Sequence, residues 1–284
     1  MTRWPRRLLL AAPLLWVAFA NVAPMVLLLR MSVLDAYPGP PGQHPAFSFS
    51  AYQAFLHGTG AQLSLARSLG LAAAATSCSL LLAFPLAYHV ARHVKAARRG
   101  QRLLLLAAPF WAGEVVRMFA IALLLANRGA FNALLRWAGL TTAPLSLLYG
   151  SGAVLTGMVY TVLLSMLLPL YAALDRLPAE LLDAAADLGA GPWQRLWNVT
   201  LPLVARGIAA GCGLTFLASL GVLAAPALLG GAGTPVFASV IAGAFGASSG
   251  RWPVGAAFGL ILMVAGLAGA AGFAWPARGR AARP

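Results

Sequence analysis

The stretch ELLDAAADLGAGPWQRLWNVTLPL, residues 180–203, lies between two long hydrophobic runs of the chain. Four of the six acidic residues of the chain fall in this stretch or just before it, at Asp175, Glu180, Asp183 and Asp187. A short acidic segment between two apolar runs indicates a polar connection between two segments that avoid water.

The composition decides what those apolar runs are. The 284 residues are 61% hydrophobic and only 9% charged, with a mean hydropathy of +0.81. A soluble domain carries about 25% charged residues, so this chain has too few to cover a soluble particle. The sequence therefore predicts an integral membrane protein. The net charge of +14 does not indicate nucleic-acid binding, because the basic residues cluster beside the hydrophobic runs, as they do in cytoplasmic loops.

Six runs are long enough to cross a bilayer, which requires about 20 apolar residues. They are Leu8–Leu29, Leu65–Ala91, Leu103–Ala126, Gly152–Ala173, Gly207–Leu229 and Pro253–Trp275. The first run begins like a signal peptide, with cleavage after Ala20 as the alternative. Its apolar character continues to Arg30, which favours a retained first span.

The distribution of basic residues predicts the orientation. Fourteen lie in the two terminal segments and the loops after spans two and four, and four lie in the opposite loops. Because Lys and Arg are retained on the cytoplasmic side, both termini are expected in the cytoplasm. The fourteen are Arg3, Arg6, Arg7, Arg92, Lys95, Arg98, Arg99, Arg102, Arg176, Arg195, Arg206, Arg278, Arg280 and Arg283, and the four are Arg30, Arg128, Arg136 and Arg251.

The opposite loops have their own patterns. The Pro- and Gly-rich segment Tyr37–Ser50 predicts turns without a helix. The segment Asn127–Leu140 places Phe131, Leu134, Leu135 and Ala138 on one face and predicts a short interfacial helix. Without internal repeats or a linker, residues 1–284 are expected to form one transmembrane domain with its core at about 60–275.

Small and polar side chains within the runs carry weaker signals. The pairs Gly207/Gly211 and Gly255/Gly259 have the GxxxG spacing that permits close helix packing. Cys78 and Cys212 lie in apolar runs and predict buried thiols without a disulfide. His89 and His93 are four residues apart without a neighbouring carboxylate or cysteine, which favours interfacial side chains over a metal site.

The acidic segment is predicted to be a short helix in a cytoplasmic loop, residues 174–205. Proline at position 178 suits the first turn, and Gly189 suits the left-handed residue that ends a helix. The spacing places Glu180, Asp183 and Asp187 on one face and Leu181, Ala185 and Leu188 on another. From the residues alone, a solvated surface connector is an equally good interpretation.

A resemblance favours a functional interpretation of this loop. The pattern Asp183-Ala184-Ala185, three residues, Gly189, nine residues, Val199, one residue, Leu201-Pro202 is similar to the EAA loop of ABC importer permeases, with Asp for Glu and Val for Ile. The segments 109–140, 225–231 and 251–257 also resemble spermidine/putrescine-type permeases. The chain thus resembles a type I ABC importer permease, which implies an all-α, six-helix membrane fold (the MetI-like permease fold) in the bacterial inner membrane.

The resemblance implies roles and partners. The short helix becomes a coupling helix that docks on a separate ATPase dimer, with Glu180, Asp183, Ala184, Ala185 and Gly189 at the contact and Leu201-Pro202 positioning the return to span five. A second, related permease chain, a solute-binding protein and membrane lipid complete the expected partners, and a small solute such as a polyamine is the expected cargo. This chain binds no cofactor of its own, because it lacks GxxxxGK[ST]; ATP and Mg²⁺ belong to the ATPase.

Three further residues are candidates for the solute pathway. Glu114 and Arg117 are charged within span three, where charge is costly and usually faces a cavity or a partner. They are three residues apart, so a structural ion pair and a pathway role both remain open. Gly221 lies where the resembling permeases often carry an acidic and then an aromatic residue, but Val222 and Leu223 follow it here.

A membrane-embedded enzyme and an ion-coupled secondary transporter are the two other classes of function to compare with this sequence. A membrane enzyme needs a catalytic constellation, and no paired aspartates, HExxH or Ser/His set is present, so no catalytic residue and no metal site are predicted. An ion-coupled secondary transporter usually has several intramembrane carboxylates and inverted repeats, whereas only Glu114 qualifies here. That transporter class is the alternative function.

Overall fold

The computed structural model describes residues 4–37, 39, 46–231, 235–246 and 251–279. Its helices are α1 (Trp4–Ser32), α2 (Ser50–His57), α3 (Thr59–His93), α4 (Ala96–Ala107), α5 (Glu114–Leu125), α6 (Ala130–Trp137), α7 (Ser151–Asp175), α8 (Ala179–Asp187), α9 (Pro192–Arg195), α10 (Leu201–Leu220), α11 (Ala224–Leu229), α12 (Phe237–Gly246) and α13 (Trp252–Gly279). The only β-pairing in the described part of the chain is one bridge between Leu34 and Phe47, so the predicted all-α class is confirmed.

Six helical segments are long and apolar enough to cross a membrane, as predicted. They are Pro13–Ser32, Thr59–His93, Glu114–Trp137, Ser151–Asp175, Pro192–Leu220 and Trp252–Phe273, counted over the described residues. The predicted boundaries of two spans were wrong. Span three does not run unbroken from Leu103, because a 3₁₀ turn (Ala108–Trp111) and an extended Ala112 separate α4 from α5. Span five begins well before Gly207, and α10 ends at Leu220 rather than at Leu229.

The chain divides into two compact units. One comprises residues up to Leu63 together with Val240–Val264, and the other comprises Ser64–Ser239 together with the residues from Ala265 onward. In the first unit, Tyr52 donates a hydrogen bond from Oη to Ser32 Oγ at 3.0 Å. The predicted turn segment Tyr37–Ser50 contributes the bridge partner Phe47 here, but positions 38 and 40–45 lie outside the described residues, as do Arg3, Arg280 and Arg283.

The second unit holds two apolar clusters along α7. At one end, Ala83, Ala87 and Ala91 of α3 pack with Met166, Leu170 and Leu174 of α7 and Val204 of α10. At the other end, Met118 of α5 packs with Val154, Met158 and Val162 of α7 and Ala225 and Leu229 of α11. Helix α7 thus carries the core of this unit, which explains why its side chains are buried most often among the six spans.

Glycines decide how closely these helices approach. A Cβ built on Gly207 of α10 would overlap the Cβ of Ala173 of α7, and one on Gly211 would lie 3.1 Å from Met166 Sδ. The predicted packing role of this pair is confirmed. In the other pair, a Cβ on Gly255 would lie 3.0 Å from the ring of Phe245, whereas no described atom lies within 4 Å of a Cβ on Gly259, so the prediction for Gly259 was wrong within this chain.

The cysteines and the short loop helix match their predictions in part. Both thiols are free, with Cys212 buried and Cys78 half-buried.

The predicted helix within Asn127–Leu140 is α6, whose Phe131 and Leu134 are exposed. Its position at a membrane interface stays a prediction.

Asn132 of α6 is fully buried and joins two loops. Its Nδ2 donates to the carbonyl oxygens of Ala126 at 3.1 Å and Leu145 at 3.0 Å, and its Oδ1 accepts from the Leu145 N–H at 2.9 Å. We expect Asn132→Ala to lower the free energy of unfolding by about 1–3 kcal/mol, because buried backbone groups lose their partners. Thermal unfolding of the purified chain measures the change. Asn127→Ala, at an exposed position, is the control, and equal melting temperatures for the two variants would contradict the role of Asn132.

Candidate functional site: the acidic loop and the charged third span

The predicted acidic helix is α8, Ala179–Asp187, with Pro178 as the residue before its first turn. Glu180, Asp183 and Asp187 are exposed, and none of the three makes a side-chain hydrogen bond or an ion pair with any residue that the structure describes. Ala184 is exposed and Ala185 is half-buried. The helix therefore presents a negative face that nothing in the described chain neutralises.

Helix α8 ends in a fixed turn at Gly189. The φ of Gly189 is +82°, the left-handed conformation that was predicted for it. The Ala190 N–H donates to the Ala185 carbonyl at 3.0 Å, and the Gly189 N–H donates to the Ala186 carbonyl at 2.8 Å. These two hydrogen bonds are the pair that defines a Schellman motif. Ala185 is thus an acceptor in the turn that stops the helix.

Two further local features lead the chain from α8 to the start of α10. Pro192 opens α9, and the Gly191 N–H donates to Gln194 Oε1 at 3.0 Å. A π-helical segment, Leu196–Thr200, then leads into α10, which begins at Leu201 with Pro202 in its first turn. A π-helical turn is wider than an α-helical one, and such turns concentrate at functional sites. It accommodates Pro202, which has no N–H and would crowd the carbonyl four residues earlier.

Two arginines, Arg92 at the end of α3 and Arg99 in α4, hold the beginning of the acidic loop. Arg99 Nη1 forms an ion pair with Asp175 Oδ1 at 2.6 Å, and Arg99 Nε donates to the Val94 carbonyl at 3.1 Å. Arg92 Nη2 donates to the carbonyl of Leu177, a buried residue, at 2.8 Å. This arginine clamp corrects one prediction. The sequence groups Asp175 with Glu180, Asp183 and Asp187 in one acidic segment, but in the structure Arg99 neutralises Asp175 and none of the other three.

The two contacts of the clamp should differ in strength. We expect Asp175→Asn to lower the free energy of unfolding by less than about 1 kcal/mol, because an ion pair with side chains 28% and 37% exposed is screened by water. We expect Arg92→Gln to lower the free energy of unfolding by about 1–3 kcal/mol, because the carbonyl of the buried Leu177 loses its hydrogen-bond donor. Urea titration of each variant in detergent micelles measures both values. A larger loss for Asp175→Asn than for Arg92→Gln would reverse this assignment.

The charged residues of the third span do not pair. Glu114 opens α5 after Gly113, and Arg117 lies one turn later, but no ion pair joins them. The Arg117 guanidinium carbon lies 5.8 and 5.6 Å from the ring centres of Phe110 and Tyr160. Glu114 Oε1 and Arg117 Nε and Nη1 are enclosed without a hydrogen-bond partner among the described residues. The ion-pair interpretation was wrong, and the pathway role stays a prediction.

The third pathway candidate, Gly221, lies at a break in the fifth span. Helix α10 ends at Leu220 and α11 starts at Ala224, with Gly221 exposed between them. Helix α11 packs on α5 and α7, where a Cβ on Gly157 would lie 2.5 Å from Leu229 Cδ1. Non-helical backbone at membrane depth occurs where it is buried in protein or lines a cavity. The breaks before Glu114 and at Gly221 are therefore reasonable places for a pathway.

The comparison with known families identifies the chain. The family described as the binding-protein-dependent transport system inner membrane component matches residues 7–275. The chain belongs to this family. It is a multi-pass inner-membrane protein and the permease component of an ABC importer, as the EAA-like loop predicted.

Individual relatives agree with this assignment. The permease is 37% identical over 197 residues to the spermidine/putrescine transport system permease protein PotB of Haemophilus influenzae, which covers 69% of this chain and 68% of that protein. It is 33% identical over 268 residues to the inner membrane ABC transporter permease protein YdcU of Escherichia coli, covering 90% and 85%. The predicted likeness to spermidine/putrescine-type permeases is confirmed.

Solved structures show the same fold. A chain of a bacterial ABC transporter involved in import of the acidic polysaccharide alginate superposes with a TM-score of 0.72 at 20% identity, over 97% of the permease and 95% of that chain. The same transporter in complex with an alginate pentasaccharide-bound periplasmic protein also gives 0.72, at 18% identity. At this identity the likeness concerns the fold alone.

Sequence reasoning missed part of the loop surface. Leu188, Trp193 and Trp197 are 89%, 69% and 55% exposed, and the two indole rings pack edge to face with centres 5.9 Å apart. Only the spacing of the two tryptophans, four positions or about one helical turn, indicated this pair. The acidic face of α8 in the permease thus has exposed apolar side chains beside it in the same loop.

Proposed function

We propose that this permease is the membrane subunit of an ATP-driven importer and that α8 is the helix by which a separate cytoplasmic ATPase moves it. The observation that supports the proposal best is the contrast within the acidic loop. Glu180, Asp183 and Asp187 are exposed and unpaired among the described residues, whereas both ends of the helix are fixed. A helix that carries a free charged face on a fixed backbone is suited to bind a partner.

The fixed ends also suit α8 to transmit movement. Its beginning is held by the arginine clamp, and its end is held by the turn at Gly189. The helices on either side of the loop, α7 and α10, pack directly on each other through Gly207 and Ala173. A displacement of α8 would therefore reach spans four and five rather than be absorbed in a flexible connection.

The chemistry of the surface indicates what kind of partner binds. Three carboxylates favour a partner with basic groups at this position, and complementary charges mainly raise the rate and specificity of association. Exposed Leu188 and Trp193 add apolar area, and tryptophan is enriched among residues that dominate binding energy. ATP and Mg²⁺ would be bound by this partner, since the permease sequence has no phosphate-binding loop.

The remaining partners and the cargo rest on the relatives. A second, related permease chain would enclose the pathway, and a periplasmic binding protein would deliver the solute. We propose a polyamine or a similar small organic solute, because the relatives at 33–37% identity include permeases named for spermidine and putrescine. Glu114, Arg117 and Gly221 are the residues that we place on its route.

Affinity purification of the tagged chain from its native membrane, in mild detergent, tests the docking role of α8. We expect a polypeptide with a phosphate-binding loop to co-purify with the native chain and to be absent from a variant that carries Asp183→Lys and Gly189→Trp. Asn127→Lys with Gly139→Trp is the matched control, because Gly139 is also left-handed (φ +70°) but lies at the end of α6. The control variant should retain the ATPase.

Two results would overturn the proposal. One is a native chain that purifies alone under conditions that keep other ABC complexes intact. The other is solute uptake that stops when the proton gradient is collapsed while ATP is maintained, which is the behaviour of an ion-coupled secondary transporter.

A further inference from the structure

A basic cavity opens between the end of α3 and α4, and none of its lining residues belongs to the acidic loop. It encloses about 410 Å³. Its polar lining comes from five side chains: His89, His93, Lys95, Arg98 and Arg102. The docking role of α8 does not use any of them.

The charge of this cavity is uncompensated in the chain. Lys95, Arg98 and Arg102 are exposed, their side chains make no hydrogen bond or ion pair with a described residue, and no carboxylate lines the cavity. Arg99, between them in sequence, differs because it is neutralised by Asp175. Three like charges around one opening repel each other unless an anion lies between them.

The histidines add hydrogen-bond donors to the same wall. The rings of His89 and His93 are stacked, with centres 5.5 Å apart and planes inclined by 10°. Tyr88 lies against His93 with ring centres 5.9 Å apart. The stack holds both imidazoles in place, so their N–H groups can donate hydrogen bonds to an oxyanion beside the three cations.

The other wall of the cavity is apolar. Leu86 of α3 and Leu105 of α4 line it, and they are 38% and 64% exposed. Helix α4 itself is basic up to Arg102 and then carries a run of four leucines, so it passes from a charged end to an apolar end. The predicted cytoplasmic surface of the membrane passes here, between the basic loop and the apolar span. A ligand of this cavity therefore has an anionic end and an apolar end.

We propose that this cavity binds an anionic phospholipid of the cytoplasmic leaflet, with its phosphate among Lys95, Arg98 and Arg102 and its acyl chains against Leu86 and Leu105. Basic pockets beside transmembrane helices on the cytoplasmic side are suited to such headgroups. A soluble phosphate would satisfy the cations but would leave the leucines exposed to water. This inference does not depend on the ATPase partner or on the transported solute.

Native mass spectrometry of the full chain in detergent tests the proposal. The purified chain is titrated with cardiolipin, phosphatidylglycerol and phosphatidylcholine, and the bound fraction of each lipid is measured. We expect the two anionic lipids to bind more tightly than phosphatidylcholine, and the double variant Arg98→Gln, Arg102→Gln to weaken them by about an order of magnitude. Arg128→Gln with Arg136→Gln removes the same charge from the opposite loop and should leave binding unchanged.

The other occupants give different results. Equal binding of all three lipids, or equal binding by both double variants, contradicts a specific headgroup site. Displacement of the anionic lipid by millimolar inorganic phosphate would show a site for a soluble anion instead. Loss of the lipid when the chain is purified with its protein partners, but not when it is purified alone, would show that a protein covers this cavity.

Discussion

Gly207→Leu is expected to prevent stable packing of α7 on α10 and to leave little folded protein in the membrane. Even a Cβ at this position overlaps the Cβ of Ala173, which sits on a helix backbone and cannot rotate away. Overpacking a close contact usually costs about 1–3 kcal/mol, and a leucine that must separate two helices costs more. The helices would lose contact around Met166, Leu170 and Val204, which are all buried. The yield of monodisperse protein and its thermal unfolding in detergent measure the effect.

The control for this variant is Gly70→Leu in α3, since no atom of the described chain lies within 4 Å of a Cβ there. A sharper test is rescue. Gly207→Ala alone should destabilise the chain, and adding Ala173→Gly should recover most of the loss, because the two methyl groups compete for one space. Equal stability of Gly207→Leu and Gly70→Leu, or no recovery in the double variant, would show that this contact does not limit the packing of the helices.

Gly189→Val is expected to abolish ATPase association and solute uptake while the chain remains folded in the membrane. A β-branched residue at φ +82° is strained by about 1–3 kcal/mol, because its Cβ meets the backbone. The backbone can relieve this strain by leaving the left-handed conformation. That change breaks the hydrogen bonds from the N–H groups of residues 189 and 190 to the end of α8. The carboxylates of Glu180 and Asp183 would then leave the positions that we propose for the contact with the ATPase. The measurements are ATPase co-purification and uptake, with thermal unfolding alongside them.

The matched control is Gly191→Val, two residues further along the same loop. Gly191 has φ −64° and ψ 165°, which any residue adopts, and a Cβ there meets only Gln194 Oε1, at 4.0 Å. We expect this variant to retain the ATPase and most of the uptake. If Gly189→Val also retains both, the left-handed turn is not required for coupling. If both variants lose the ATPase to the same extent, any larger side chain in the loop disrupts the association, and loss of the left-handed turn is not the specific cause.

The basic residues between the second and third spans show that charge distribution alone does not identify side-chain partners. In the sequence, the basic residues between predicted spans two and three indicate only that this segment faces the cytoplasm, since cytoplasmic loops retain Lys and Arg. In the structure, Arg92 and Arg99 hold the acidic loop, whereas Arg98 and Arg102 line a separate cavity. Arginines close together in sequence, at the end of α3 and in α4, therefore have different surroundings, which a count of charges cannot reveal.

The sequence by itself determined the features that depend on composition and local conformation. Six long apolar runs predict six spans, because backbone groups in a bilayer must be satisfied within a helix. Gly189 predicted a left-handed helix end, since glycine adopts positive φ at no steric cost, and the structure has φ +82° there. The order of the acidic helix, Gly189 and Leu201-Pro202 was sufficient to indicate the family, and the family match to residues 7–275 confirms it.

Only the tertiary structure decided which groups meet. The apolar run through span three gave no sign that the chain breaks before Glu114, since hydropathy averages over Pro109 and Gly113. The spacing of Glu114 and Arg117 suited an ion pair, but Arg117 lies beside the rings of Phe110 and Tyr160 instead. Arg99 reaches Asp175 across 76 positions of sequence, a distance at which no local pattern can pair them. Side-chain partners over such separations are set by how the helices pack, and packing depends on shapes that a one-dimensional pattern does not contain.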